Sequence, residues 1–260
     1  MVDVKIAFTK MHGAGNDFVM IDDRSCELPL DDPKRLAVLA NRPTGIGCEG
    51  IIVVRPSTKV DFAMRFFNPD GGEAEMCGNG ARCVAAFAAS IGVVKGDEMT
   101  FETRAGVVRA WIRAADRVMI ALPDPKDLRK NYVDTGVPHA IVPVEDLEGV
   151  DVDRLGREIR YAPEYAPRGT NVDFVTYQAP HRALIRTYER GVEAESFACG
   201  TGAVAAAVIG VESYGLEFPV IVKTRRGDEL EIDGLRQNGR YTNISLTGPV
   251  HFVFSGTIEY

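Results

Sequence analysis

The chain has 260 residues, 45% hydrophobic and 26% charged, with a formal net charge of −7. That length suits one large core or two smaller ones. The acidic balance, with no basic cluster beyond pairs such as Arg225-Arg226, argues against a nucleic-acid partner, and the longest apolar runs fall short of a membrane span.

In chain order, the opening MVDVKIAFTK reads as a strand and lacks the basic-then-apolar layout of a signal peptide, so a cytoplasmic protein is expected. Period-2 alternation and β-branched residues predict strands at VKIAFTK (4–10), GIIVVR (50–55), VDFAMRFF (60–67) and RVMIAL (117–122). Further strands are predicted at NVDFVTY (171–177), RALIRTY (182–188), PVIVKT (219–224) and HFVFSGTI (251–258). A helix is predicted over PKRLAVLAN (33–41), because Asp32 is an N-cap type and Pro33 suits the first helical position. Two more helices follow the Cys-Gly-x-Gly stretches, over ARCVAAFAAS (81–90) and AVAAAVIGVES (203–213), and a weaker pattern covers DVDRLGREI (151–159). The segment LPDPKDLRKN (122–131), rich in proline and charge, reads as a linker.

The chain repeats itself across that linker. Cys77 and Cys199 stand 122 positions apart, each opening an Ala-rich run. RFFNPDGGEAEMCGNGA lies over RTYERGVEAESFACGTGA with one extra residue in the second copy, GNDFV (15–19) falls against GVPHA (136–140), and Asn171 falls opposite Glu49. A shared offset argues duplication. The expected fold is α/β (α+β): two pseudo-symmetric halves, each with a cysteine at the start of a helix. The boundaries expected are 1–121 and 122–249, with a cleft receiving one cysteine from each half.

Five cysteines, an odd number with no CxxC pair, do not describe a disulfide scaffold. The four histidines are scattered at no ligand spacing, so no metal is expected, and no lysine motif for pyridoxal phosphate is present. Cys26, Cys48 and Cys83 read as small buried hydrophobes. Cys77 and Cys199 differ, because each stands where a helix begins. Free amides and the helix dipole favour negative charge there, which lowers a thiol pKa and can hold a carboxylate. Glycine and alanine at these turns could instead serve close helix packing alone. Two copies in duplicated halves favour a function. One thiolate removing a proton from one face of a carbon, and one thiol delivering a proton to the other, would invert that carbon without redox change.

The stretches KMHGAGNDFVMID, NRPTGIG, FFNPDGGEAEMCGNGARC, GTNVDFV and YERGVEAESFACGTGA together resemble diaminopimelate epimerases along nearly the whole chain. The resemblance implies a cofactor-independent isomerase interconverting LL- and meso-diaminopimelate in lysine and peptidoglycan biosynthesis, commonly a homodimer. It also implies two pseudo-symmetric domains, each a mixed or antiparallel strand-rich sheet wrapped around a central helix, with the last strand, 250–260, returning to the first domain. Position by position, it implies Cys77 and Cys199 as the catalytic pair. Asn16, Asn68 and Asn171 would bind substrate, and Glu189 and Arg190 would meet the distal ammonium and carboxylate. The amides of Gly78, Asn79, Gly200 and Thr201 would hold the reacting carboxylate. His139 would assist proton balance, with Glu189 near the thiols.

Each residue also has a plainer reading. Asn68 and Asn171 could be turn residues, Glu189 and Arg190 a solvated pair, and His139 a satisfied core histidine. His12, His181 and His251 read as structural. Val137 stands where many family members have Asn, and Gly50 where some have Gln. The segment from Glu189 to Cys199 is one residue longer than in some members. Other functions remain open at this stage: a racemase of histidine or proline on the same scaffold, a cysteine hydrolase using one thiol with His139, or an anion-binding or thiol-sensing module.

Overall fold

A computed structural model describes residues 5–259. Two compact units divide the chain, one running to Ile120 and resuming at Pro249, the other spanning Ala121–Gly248.

The first unit begins with β1 (Lys5–Gly13) and β2 (Asn16–Asp22), a hairpin turned by Ala14 and Gly15 at φ 52° and 84°. Positive φ at both central positions matches the twist of the flanking strands. Helix α1 (Pro33–Ala40) starts as expected, with the Asp32 carboxylate accepting from the amides of Lys34 and Arg35. There follow β3 (Gly50–Arg55), β4 (Phe62–Phe67), the two-residue β5 (Glu73–Ala74), α2 (Gly78–Ser90), β6 (Glu98–Thr103), β7 (Gly106–Ala114) and β8 (Arg117–Ala121). The second unit holds β9 (Lys126–Arg129), β10 (Tyr132–Asp134), β11 (Pro138–Pro143), α3 (Val152–Arg160), β12 (Asn171–Gln178), β13 (Arg182–Glu189) and β14 (Ala194–Ser196). It continues through α4 (Gly200–Ser213), β15 (Val220–Lys223), β16 (Glu229–Gln237) and β17 (Arg240–Pro249). The last strand, β18 (His251–Glu259), pairs antiparallel with β1. Of the expected first strand, Val4 lies outside the described residues.

The ladders show the duplication directly. In the first unit β2 pairs parallel with β3, Phe18 opposite Gly50; in the second β11 pairs parallel with β12, His139 opposite Asn171. Ile51 opposite Phe67 is matched by Val172 opposite Tyr188. The parallel pairing of β4 with β6 is matched by β13 with β15. Even an ion pair recurs: Arg65 with Glu73 across β4 and β5, and Arg186 with Glu195 across β13 and β14. By this register Asn171 corresponds to Gly50, one place on from the Glu49 expected from the sequence offset. The expected linker also differs: Lys126–Arg129 forms β9 and pairs with β10.

Each unit packs a helix on both faces of its sheet. Residues 79–88 of α2 and 202–210 of α4 are buried without interruption. On the opposite face, Leu36 and Leu39 of α1 pack with Val19, Ile51 and Val53, while Val152 of α3 packs with Val172, Phe174 and Tyr188. Strands covered on both faces read as continuous apolar runs, which is why GIIVVR contains no alternation.

The fit of α3 yields a test. A Cβ built on Gly156 would lie 2.4 Å from Tyr188 Cβ, in a place where Tyr188 is 1% exposed. Helix propensity favours alanine there by about 1 kcal/mol, whereas overpacking a core costs about 1–3 kcal/mol. Gly156→Ala is expected to lower the melting temperature; calorimetry showing a rise would refute this packing.

Candidate active site

Cys77 is the N-cap of α2 and Cys199 the N-cap of α4, both extended in backbone and neither making a side-chain capping bond. Cysteine thus stands where a Ser or Asp cap would offer an oxygen, and at α4 the Gly202 amide meets the Cys199 sulfur instead. Gly80 and Gly202 are required by packing: a Cβ would sit 2.7 Å from Ile52 Cδ1 in one case and 2.5 Å from Asp173 Oδ1 in the other. Gly78 and Gly200 are not. The nearest protein atoms to a Cβ there are Ile120 Cδ1 at 3.9 Å and Leu246 Cδ1 at 3.5 Å, ordinary contacts. Neither glycine has positive φ. What glycine provides at these two positions is open backbone for a ligand to approach.

Around Cys199 the second unit buries a polar cluster. His139 and Asp173 are both 0% exposed. His139 Nδ1 lies 2.7 Å from Asp173 Oδ2, and Nε2 lies 2.9 Å from Thr201 Oγ1. Thr201 Oγ1 in turn lies 3.3 Å from Cys199 Sγ. Thr187 donates its hydroxyl to Asp173 Oδ1 at 2.7 Å, and Asn171 Oδ1 accepts the Arg190 amide at 2.7 Å. Asp173 and Thr187 were not singled out from the sequence, where NVDFV and RTY look like ordinary strand alternation. Their signal was in the duplication, since the corresponding residues of the first unit are Ile52 and Phe66, and a polar residue opposite a core residue needs a reason.

The expected lowering of the thiol pKa fails at Cys199. Burial pushes it well above the ordinary thiol range, and the Glu189 and Asp173 carboxylates add to this, while the Thr201 hydroxyl pulls the other way. Low dielectric and nearby anions outweigh the helix dipole. Glu189 is also raised, chiefly by burial, with the Ser196 hydroxyl and His139 opposing. Cys83, fully buried, is pushed up to about 12 and is inert, as expected, and Cys48 is buried too. Cys26 is exposed, against the expectation, on a turn where its φ is 59°.

The second unit thus gathers Cys199, Thr201, His139, Asn171 and Glu189 at one helix start. In the first unit Asn79 is buried, with Oδ1 accepting from Arg82 at 2.8 Å. Asn16 begins β2, its Oδ1 sheltered and without a partner among the described residues. Asn68 is exposed in the turn closing β4 and β5, its backbone bonded to Gly71 and Gly72. His181 bonds the Glu217 carbonyl, and His12 packs against His251.

The family model described as diaminopimelate epimerase matches residues 8–123 and 131–253. The chain belongs to the diaminopimelate epimerase family. It is 41% identical to a diaminopimelate epimerase of Aquifex aeolicus, over 97% of each chain. It is 39% identical to one of Methanocella arvoryzae, covering 98% of this chain and 97% of the relative. Among solved structures, a phenazine biosynthesis protein of the PhzF family from Bacillus anthracis superposes with a TM-score of 0.75 at 15% identity, covering 98% and 99% of the two chains. A hydroxyproline epimerase from Agrobacterium vitis gives 0.68 at 17% identity, covering 98% and 92%. These distant likenesses establish the shared mixed α+β fold. Among the described residues no helix is long and apolar enough to cross a membrane.

Two outcomes follow from the geometry. Gly78→Ala and Gly200→Ala are expected to melt no lower than the parent, because the protein has room for each Cβ, yet to lose at least about tenfold in kcat/KM, roughly 1.4 kcal/mol of transition-state binding. A stable variant of full activity would show that these glycines face no ligand. For Glu189 the sign is that of a raised carboxyl: ionising it costs the folded state stability above its raised pKa, and the cost vanishes as pH falls toward its ordinary 4.5. Glu189→Gln should therefore melt higher than the parent at neutral pH, with the difference closing near pH 4; a pH-independent difference in thermal scans would contradict the assignment.

Proposed function

We propose that this chain is an isomerase of lysine and peptidoglycan biosynthesis that interconverts LL- and meso-diaminopimelate without a cofactor, by two bases. The observation that carries the reading is the pair of equivalent helix starts, each with cysteine as N-cap and open glycine after it, in a chain of the diaminopimelate epimerase family. In this reading one thiol takes the α-proton and the other delivers a proton to the opposite face. The amides of Gly78, Asn79, Gly200 and Thr201 hold the α-carboxylate as the carbanion develops. Arg190, with its forked guanidinium, takes the distal carboxylate, Glu189 the distal ammonium, and Asn16, Asn68 and Asn171 complete recognition. The unpartnered Asn16 Oδ1 supports a ligand ammonium there. His139 and Glu189 support the thiols. Residues 1–121 with 250–260, and 122–249, act as the two functional halves. We read the enzyme as a cytoplasmic homodimer, following the same resemblance.

The test is epimerisation of LL-diaminopimelate by the reduced protein in heavy water. The product is expected to carry solvent deuterium and recovered substrate little, because different thiols take and give the proton. Cys77→Ala and Cys199→Ala should each lose at least about a thousandfold in kcat, and the double variant no more than either alone, since paired groups act as a unit. Mass spectrometry at low conversion finding the original hydrogen in inverted product would sink the two-base mechanism. Activity on proline or histidine in place of diaminopimelate would move the substrate assignment.

A further inference from the structure

We propose that Asp173 is a positioning residue for Cys199: it fixes the tautomer of His139 so that the thiol proton can leave by way of Thr201. That Cys199 transfers protons rests on the function proposed above; the arrangement of Asp173, His139 and Thr201 does not.

Asp173 lies on β12 at a position with no exposure, where the first unit has Ile52. A carboxylate there is costly unless both oxygens are engaged, and both are, one by His139 Nδ1 and one by the Thr187 hydroxyl. Gly202 leaves no room for a Cβ over Oδ1, so the carboxylate packs directly on the first turn of α4. An ionised carboxylate only accepts, so His139 carries its proton on Nδ1. A second observation assigns the other nitrogen. Asn171 Oδ1 is occupied by the Arg190 amide, which turns the Asn171 amino group toward His139 Nε2 at 3.4 Å. Two potential donors, the Asn171 amino group and the Thr201 hydroxyl, thus face Nε2, and a bare acceptor nitrogen satisfies them.

The direction of the chain is then set. Thr201 gives its single hydroxyl proton to Nε2, and its oxygen lone pairs face Cys199 Sγ, which donates S–H. When Cys199 ionises by this route, its S–H bond breaks and a new Thr201 O–H bond forms. The former Thr201 proton passes to Nε2, and the imidazolium produced sits against the Asp173 carboxylate. The thiolate then accepts from the Thr201 hydroxyl, and reversal returns every proton. No electrons are exchanged. Ionisation into solvent would add a charge to a site already holding Asp173 and Glu189; transfer within the cluster leaves its net charge unchanged.

The experiment uses the whole protein labelled with 15N-histidine. Long-range 1H–15N spectra report the tautomer, and the His139 signal is identified by its loss in His139→Gln. In the parent, His139 is expected neutral with its proton on Nδ1. In Asp173→Asn a side-chain amino group can face Nδ1, so the proton should move to Nε2. Epimerase kcat should fall at least about 100-fold while KM changes less than about threefold, as for a base held in the wrong tautomer. Thr201→Val should lose kcat similarly while keeping the Nδ1–H tautomer, and Thr201→Ser should restore most of it. A proton on Nε2 or on both nitrogens in the parent overturns the proposal, even if Asp173→Asn does not fold. So does an Asp173→Asn protein of unchanged tautomer and rate. A parent with no epimerase activity refutes the proposed function, while the spectrum still judges the tautomer.

Discussion

A helix can be enclosed by a curved sheet only if its surface is small on every side. That constraint shapes each unit: α2 and α4 are built largely of alanine, glycine and valine, and residues 79–88 and 202–210 are buried, with Asn79, Arg82 and Phe87 the larger side chains admitted in α2. Long side chains would hold the strands away. With small ones the first turn of each helix lies so close to the strands behind it that a Cβ on Gly80 or Gly202 would run into the side chain of Ile52 or Asp173. The cysteine before each helix is thus set at a boundary between buried helix and accessible backbone.

On this shared frame the two units have diverged in charge. Where the second unit has His139, Asp173 and Thr187 in adjoining strands, the first has Phe18, Ile52 and Phe66 at the matching ladder positions. Conversely, α2 carries the fully buried Arg82, its guanidinium on the Gly78 carbonyl and Asn79 Oδ1, where α4 has Val204. One cysteine begins a helix containing a buried cation; the other stands beside buried carboxylates. The matched Arg65–Glu73 and Arg186–Glu195 pairs remain in both, holding the strand pair that leads to each cysteine. The backbone was kept and the electrostatics were changed, so two cysteines alike in sequence context acquire unlike surroundings.

Much of this was determined by the sequence. The cap at Asp32, the apolar run of β3, the alternation of β12 and the paired Cys-Gly-x-Gly turns are local features, because they depend on near neighbours in the chain. Strands β6, β7, β16 and β17 were not legible, since their charged residues alternate onto solvent-facing positions or interrupt the pattern. β9 was hidden in a proline-rich stretch for the same reason. The two cysteines and the family resemblance were legible because the motif is long. The role of Asp173 was not. Its burial, the exclusion of a Cβ at Gly202 and the raised pKa of Cys199 arise from groups far apart in the chain, brought together in a medium of low dielectric. Short-range pattern reports which backbone will form; only tertiary packing decides which polar groups lose their water, and so which of them must find one another.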